Sequence, residues 1–235
     1  ALDEIAVHWA LDNVEKVGLI RGGRTGDINA DEGGYNVVYA DAALVMPLGD
    51  LEGDGYQDFG LVRRAGNVEH QIDVYRGAPD LPGTPALALR RVGTGDGVRV
   101  DLRAAVGDFD GNRRSDLAIL QTTFNLGDGA PFTGAVHVFP DVASNFFAAG
   151  ITERSLDNAD ITISSDYVSG VLDTIAAGAL DLDGDDIDDL VVGATTAHVA
   201  RETVQLLAGR VFVLHGSRGV HAMFDPRGVD VLTNR

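Results

Sequence analysis

The hydrophobic pattern of the chain is a series of short apolar runs separated by glycine and acidic residues. Such runs are too short for helices and predict strands. Each predicted unit has an incoming strand, an outgoing strand, a third strand with alternating apolar and polar positions, and a weaker closing strand. In the three best-defined units these segments are residues 43–49, 59–62, 71–77 and 86–89; residues 103–107, 117–120, 135–139 and 161–163; and residues 174–180, 190–193, 209–216 and 229–232.

The turn between the incoming and outgoing strands has the same acidic pattern in all three units. Residues 50–58 (loop A), 108–116 (loop B) and 181–189 (loop C) align without gaps, with glycine at the fourth position of each. Side chains that carry oxygen recur at positions one, three, five and nine: Asp50, Glu52, Asp54 and Asp58 in loop A; Asp108, Asp110, Asn112 and Asp116 in loop B; and Asp181, Asp183, Asp185 and Asp189 in loop C. The chain is therefore an internal repeat.

This spacing of oxygen atoms is suited to a hard cation. Calcium takes six to eight oxygen ligands about 2.3 to 2.6 Å away, and a turn with three or four carboxylates supplies most of them. Glycine at position four lets the chain bend tightly enough for alternate side chains to converge. The backbone carbonyl at position seven, from Tyr56, Arg114 or Ile187, would complete each set. The sequence therefore predicts three calcium ions, with loop C the best site because Glu52 is longer than aspartate and Asn112 is neutral.

Two other interpretations of the loops use the same residues. An EF-hand needs a bidentate glutamate at position twelve and flanking helices, but Leu61, Ile119 and Val192 occupy that position, so this motif is excluded. The loops could instead be simple turns whose carboxylates accept backbone amides. The identical spacing in three loops favours a metal site, because turn formation alone does not fix four oxygen-bearing positions.

Four short strands per unit are typical of a propeller blade, so the sequence predicts an all-β chain, a β-propeller of four-stranded antiparallel blades. We expect a single domain with an incomplete blade at residues 1–42 and blades at residues 43–102, 103–173 and 174–235. These units are longer than the roughly 40 to 50 residues of common propeller repeats. We expect the additional residues in connections at residues 77–83 and 124–133.

The incomplete blade begins with residues 3–7, which match the last aspartate and the outgoing strand of the other units, and it lacks its loop and incoming strand. An open propeller would expose an unpaired strand edge and an apolar blade face. We therefore expect either the rest of a longer chain or a second copy to complete the propeller and to cover the edge near residues 3–9.

The units resemble the FG-GAP repeats of the integrin α-chain propeller and their bacterial relatives. The resemblance lies in Tyr167-Val168-Ser169-Gly170, in residues 177–185, and in Val192-Gly193-Ala194-Thr195, which are similar to the family's aromatic-glycine, loop and Gly-Ala-Pro elements. The chain departs from the family at Tyr167, where phenylalanine is usual, and at Thr195, where proline is usual. The resemblance implies a propeller, commonly of seven blades, that binds calcium on one face and a protein or glycan elsewhere.

Composition narrows the possible partners. The formal net charge is −18, from 36 acidic and 18 basic residues, which disfavours binding to nucleic acids or to anionic membrane surfaces. Hydrophobic residues make up 45% of the chain, as in a folded protein, and no apolar run is long enough to insert into a bilayer. The chain has no cysteine, which excludes disulfides, cysteine-zinc sites and thiol catalysis.

Three functions are consistent with these observations. The first is a secreted or cell-surface module that binds calcium and uses other loops for adhesion to a protein or glycan. The second is a catalytic or non-catalytic part of a secreted carbohydrate- or lipid-active enzyme, and the third is a spacer stiffened by calcium. Fold alone does not choose among them.

No catalytic residues are predicted, because no motif joins a histidine to a nucleophile or to a second histidine. The six histidines are scattered and are interpreted as ordinary surface or strand residues: His8, His70, His137, His198, His215 and His221. Trp9, Phe146 and Phe147 could stack on a sugar, although packing in the core is the simpler role. The segment Arg24-Thr25-Gly26-Asp27 only approximates an Arg-Gly-Asp motif and is interpreted as a turn.

Overall fold

The chain has an all-β fold, as the sequence predicts, in which most strand pairs are antiparallel and the described residues include two short helical turns. The computed structural model describes the following residues: 5–11, 14–20, 37–65, 68–80, 82–91, 98–125, 131–164, 171–176, 180–195, 198–201, 204–207, 209–219 and 229–232. We name the four segments predicted as blades unit one (1–42), unit two (43–102), unit three (103–173) and unit four (174–235). A strand that crosses one of these boundaries is counted with all its residues in the later unit.

Units one and two are consecutive antiparallel strands. Unit one contains β1 (Ile5–Leu11), β2 (Val14–Ile20) and β3 (Val37–Ala40), and each strand pairs with the next. Unit two contains β4 (Ala42–Gly49), β5 (Asp58–Ala65), β6 (Val68–Tyr75) and β7 (Leu87–Arg90), again paired in order. Among the described residues, β1 pairs only with β2.

Units three and four repeat this meander with insertions. The strands and turns of unit three are β8 (Val98–Gly107), β9 (Asp116–Asn125), β10 (Pro131–Phe139), a π-helical turn (Ala143–Phe147), β11 (Glu153–Ser155), a 3-10 turn (Leu156–Asn158) and β12 (Ile161–Ser164). Those of unit four are β13 (Thr174–Ala176), β14 (Leu190–Ala194), β15 (His198–Arg201), β16 (Val204–Leu207), β17 (Arg210–Leu214) and β18 (Val229–Leu232). Strands β8-β9-β10-β12 follow this order within a nine-stranded sheet that also contains β4 to β7 and β11, whereas β13-β14-β17-β18 form a separate four-stranded sheet. The pairs β7–β11 and β6–β8 are parallel.

Every predicted strand of units two to four overlaps a strand of the structure, but the connections differ. The segment predicted as a connection at residues 124–133 is partly strand, because Phe124 pairs with Pro131. The surplus length of unit three instead forms the two helical turns and β11. These elements are ordered by the core, since Phe146 and Leu156 are buried. The glycine and proline content of residues 124–133 therefore predicted the insertion of unit three at the wrong place.

The hydrophobic core is divided into three clusters that lie between consecutive units. One joins Val17 of unit one to Leu61 of unit two, and another joins unit two to unit three. The last joins unit three to unit four. Strand β9 shows why its apolar run is continuous: Leu117 and Ile119 face the cluster shared with unit two, whereas Ala118 and Leu120 face the cluster shared with unit four. A strand buried on both faces needs no polar alternation.

The incoming strands of the three units lie side by side. An open cavity of about 450 Å³ is lined by β4, β8 and the start of β13, including Met46, Arg103 and Ile175. Strands β4 and β13 each pair with the next strand of their unit, whereas β8 pairs with β9 and also, at Val100, with Val68 of β6. The sheets formed by the described residues do not close into a ring.

A buried carboxylate ties unit two to unit three. Glu69 of β6 is 1% exposed and accepts the Leu102 amide of β8 at 2.5 Å. Arg64 donates to its other oxygen at 2.8 Å, and Arg103 approaches from unit three at 3.4 Å. Because all three donors converge on one side chain, Glu69 holds the two units in register at this point.

Replacing this carboxylate should destabilise the fold. The change Glu69→Ala leaves the Leu102 amide without its acceptor, so we expect the free energy of unfolding to fall by about 2–3 kcal/mol. The matched control is Glu153→Ala, which removes an exposed partner of Arg90 and should change stability by less than about 1 kcal/mol. Urea unfolding measures both variants. Equal effects would show that Glu69 does not join the units.

Candidate cation-binding loops

The three loops share one backbone conformation. The glycines at position four, Gly53, Gly111 and Gly184, have φ angles of 77°, 69° and 84°, in the left-handed region that glycine adopts without strain. Position six is also left-handed, at 91° in Gly55, 66° in Arg113 and 64° in Asp186. This second bend was not predicted, because only loop A has glycine at position six and other side chains rarely adopt the conformation.

The carboxylate at position one organises the turn. In loop C, Asp181 accepts the amides of Gly184 at 2.7 Å, Asp185 at 3.1 Å and Asp186 at 2.9 Å. Asp50 repeats this pattern in loop A, and Asp108 accepts two amides in loop B. The Asp186 amide contributes most to holding the pKa of Asp181 below its ordinary value. Position one therefore carries a negative charge held by backbone donors.

The side chain at position five accepts the amide at position seven in every loop. The distances are 2.9 Å from Tyr56 to Asp54, 2.7 Å from Arg114 to Asn112, and 3.0 Å from Ile187 to Asp185. These bonds belong to turn formation, as the simpler interpretation expects. Each carboxylate or amide oxygen keeps a second lone pair, so the same bonds also aim oxygen atoms in a fixed direction.

The aspartate at position nine is buried and joins the loop to its sheet. Asp116 is fully buried and accepts the amides of Phe109 and Asp141, both at 2.8 Å. Asp58 binds the amides of Leu51 and Gly77 in the same way, and Asp189 binds those of Leu182 and Gly216. Burial raises the pKa of Asp116 to about 7 and also raises the pKa of Asp58.

Carboxylates converge in loops B and C. Among the described residues, groups of three ligand atoms within 4.8 Å of one another are Asp108, Asp110 and Asp116; Asp181, Asp183 and Asp185; and Asp183, Asp189 and His215. A single hard cation can contact three oxygen atoms at this spacing. No group of this kind from loop A occurs in the described part of the chain.

His215 is a neighbour of loop C that sequence reasoning classed as ordinary. Its Nδ1 lies 3.4 Å from an Asp183 oxygen and 3.3 Å from an Asp189 oxygen. Alignment of the units would have found it, because His215 immediately precedes the glycine whose amide binds position nine. The corresponding residues are Arg76 in unit two and Pro140 in unit three.

Loops B and C are hydrogen-bonded to each other. The Asp108 amide donates to the Asp188 carboxylate at 2.8 Å, and the Asp188 amide donates to the Asp108 carbonyl at 3.0 Å. Further along loop B, the carbonyls of Phe109 and Asp110 accept amides from Ser217 and Gly219. Asp188 was not predicted as a functional residue, because position eight is not repeated in the sequence. The candidate sites therefore lie side by side on one edge of the fold.

The residues at position seven, whose backbone carbonyls are predicted calcium ligands, have side chains in different environments. Tyr56 is 43% exposed, Ile187 is buried, and the Arg114 guanidinium binds Asp141 at 2.6 Å.

Phe146, considered above as a sugar platform, is instead 2% exposed and lies edge-on to Phe139 in the core.

Several sequence predictions lie outside the described residues. They are Asp3 and Glu4, Arg24 to Asp27, Tyr167 to Gly170, Ala177 to Ala179, His221 and the side chain of His198. The edge predicted near residues 3–9 is described from Ile5 onward, as strand β1.

Comparison with known proteins adds no family assignment. No protein-family model matches the chain, and no curated protein matches it.

The raised pKa of Asp116 predicts how metal-free protein responds to pH. This carboxyl is protonated in both states below about pH 3.8, and up to about pH 7 only the folded state keeps the proton. Stability must therefore fall as pH rises through this window. After treatment with a chelator, we expect Asp116→Asn to lose about 3 kcal/mol less stability than the wild type between pH 5 and pH 8.

Chemical unfolding at several pH values measures this difference. The control is Asp160→Asn, an exposed aspartate outside the loops, which should retain the pH dependence of the wild type. If Asp116→Asn keeps the same dependence, burial of this carboxyl does not oppose folding at neutral pH.

Proposed function

We propose that the chain is part of a calcium-binding β-propeller of the FG-GAP type. The observation that carries the proposal is the convergence of Asp108, Asp110 and Asp116 within a loop pattern that occurs three times. The propeller architecture is supported by units with four antiparallel strands, by core clusters between successive units, and by incoming strands that line one cavity.

Calcium is the cation that the ligand atoms suit best. In loop B the converging atoms are carboxylate oxygens. Because Asp110 and Asp116 are buried, little water can reach them to stabilise their charge. Calcium accepts such oxygen ligands in flexible geometry, whereas magnesium demands near-octahedral geometry and keeps its water. A bound calcium ion would offset the repulsion between these carboxylates.

We propose a secreted or cell-surface role in binding a protein or glycan, with the rest of a longer chain or a second copy completing the propeller. This role follows from the resemblance. The alternatives are a part of a secreted carbohydrate- or lipid-active enzyme and a spacer stiffened by calcium. None of the helical segments in the described part of the chain is long and apolar enough to cross a membrane.

Calcium should raise the stability of the fold. A ligand at 100 times its dissociation constant adds about 2.7 kcal/mol for each independent site when the unfolded chain does not bind it. We therefore expect the melting temperature to fall when a chelator removes calcium. The change Asp183→Ala should weaken loop C alone, so its melting temperature with calcium should lie between those of the wild type with and without calcium.

Differential scanning calorimetry with and without calcium measures these shifts. Asp160→Ala, which removes an exposed aspartate outside the loops, should respond to calcium as the wild type does. A wild-type melting temperature that is the same with and without calcium would contradict the proposed function.

A further inference from the structure

We infer that Arg76 occupies loop A in place of a calcium ion, so that the chain binds calcium at loops B and C only. The inference rests on the proposed calcium-binding function and specifies which loops carry it. It revises the number of ions that the sequence alone predicts.

The position-three carboxylate of loop A is already paired with a positive charge. Arg76 Nε donates to Glu52 Oε1 at 2.5 Å, and the Glu52 side chain is only 9% exposed. The other oxygen, Oε2, is buried and has no hydrogen-bond partner among the described residues. Arg76 thus supplies a positive charge that stabilises this buried carboxylate.

Arg76 is held in place from two sides. It directly follows β6, and Gly77, the next residue, donates its amide to Asp58 at position nine of the same loop. Its guanidinium also lies over the ring of Phe147, 5.5 Å from the ring centroid. Although half of the Arg76 side-chain surface is exposed, these contacts hold its charge beside the loop.

The corresponding positions near loops B and C carry no permanent charge. Pro140 precedes the amide that binds Asp116, and His215 precedes the amide that binds Asp189. Proline has no charge, and a neutral imidazole can itself bind a metal through nitrogen. Arginine, by contrast, stays protonated in proteins and cannot act as a ligand.

Two consequences follow for loop A. A divalent cation placed there would lie close to a fixed guanidinium and would be repelled by it. In addition, Arg76 binds one oxygen of Glu52, and the described residues of loop A contain no three-ligand group. Loops B and C have such groups, so the structure distinguishes loops that the sequence pattern treats as equal.

The test counts calcium ions bound to the full chain by isothermal titration calorimetry after removal of metal with a chelator. We expect two calcium ions per wild-type chain and three per chain for Arg76→Gln, because the variant leaves Glu52 without its positive partner. The control is Arg90→Gln. The Arg90 side chain is as exposed as that of Arg76 and pairs with Glu153, which is outside the three loops, so this variant should bind two calcium ions.

A second variant keeps the test decisive if Arg76→Gln does not fold. Glu52→Gln removes a predicted ligand of loop A, and it should still bind two calcium ions with wild-type affinity. Three ions on the wild type, a count that stays at two or falls in folded Arg76→Gln, or the loss of one ion in Glu52→Gln would each overturn the inference. Binding of no calcium by the wild type would instead be the failure of the proposed function itself.

Discussion

The buried aspartate at the end of each loop holds the loop against the sheet that follows it. One oxygen of Asp116 accepts an amide from inside the loop, and the other accepts an amide from the residue two positions after the third strand. Asp58 and Asp189 make equivalent pairs of bonds. Because a buried carboxylate with two backbone donors can occupy only one arrangement, the turn and the third strand are fixed relative to each other in every unit.

The same burial creates the need for a cation. Two amides do not replace the water that a carboxylate loses on burial, and further carboxylates lie beside it in loop B. The pKa of Asp116 is raised because burial removes the water that would stabilise its charged form. The residue before the second of these amides differs among the loops: it is the positively charged Arg76 beside loop A, Pro140 beside loop B and His215 beside loop C. The three loops are thus alike in backbone and different in charge.

Much of the fold was predictable from the sequence because its signals are local. Short apolar runs predict the strands, and the aligned acidic residues predict the turns that the backbone adopts. The insertion around Phe146 was not predictable, because its order comes from contacts with the distant core. Likewise, Arg76, Asp188 and His215 act on loops far from them in sequence or in a neighbouring unit. The arrangement of the units as blades stays a proposal, since a repeat pattern describes each unit better than their assembly.

A crystal structure of the chain grown with millimolar calcium tests the central claim most directly. Anomalous scattering identifies the ion, and the account predicts a calcium peak about 2.3 to 2.6 Å from the oxygens of Asp108, Asp110 and Asp116, with a second peak in loop C. Loop A should contain the Arg76 to Glu52 ion pair and no peak. Loops B and C without bound calcium under these conditions would contradict the account and would leave the acidic repeat as a means of forming turns.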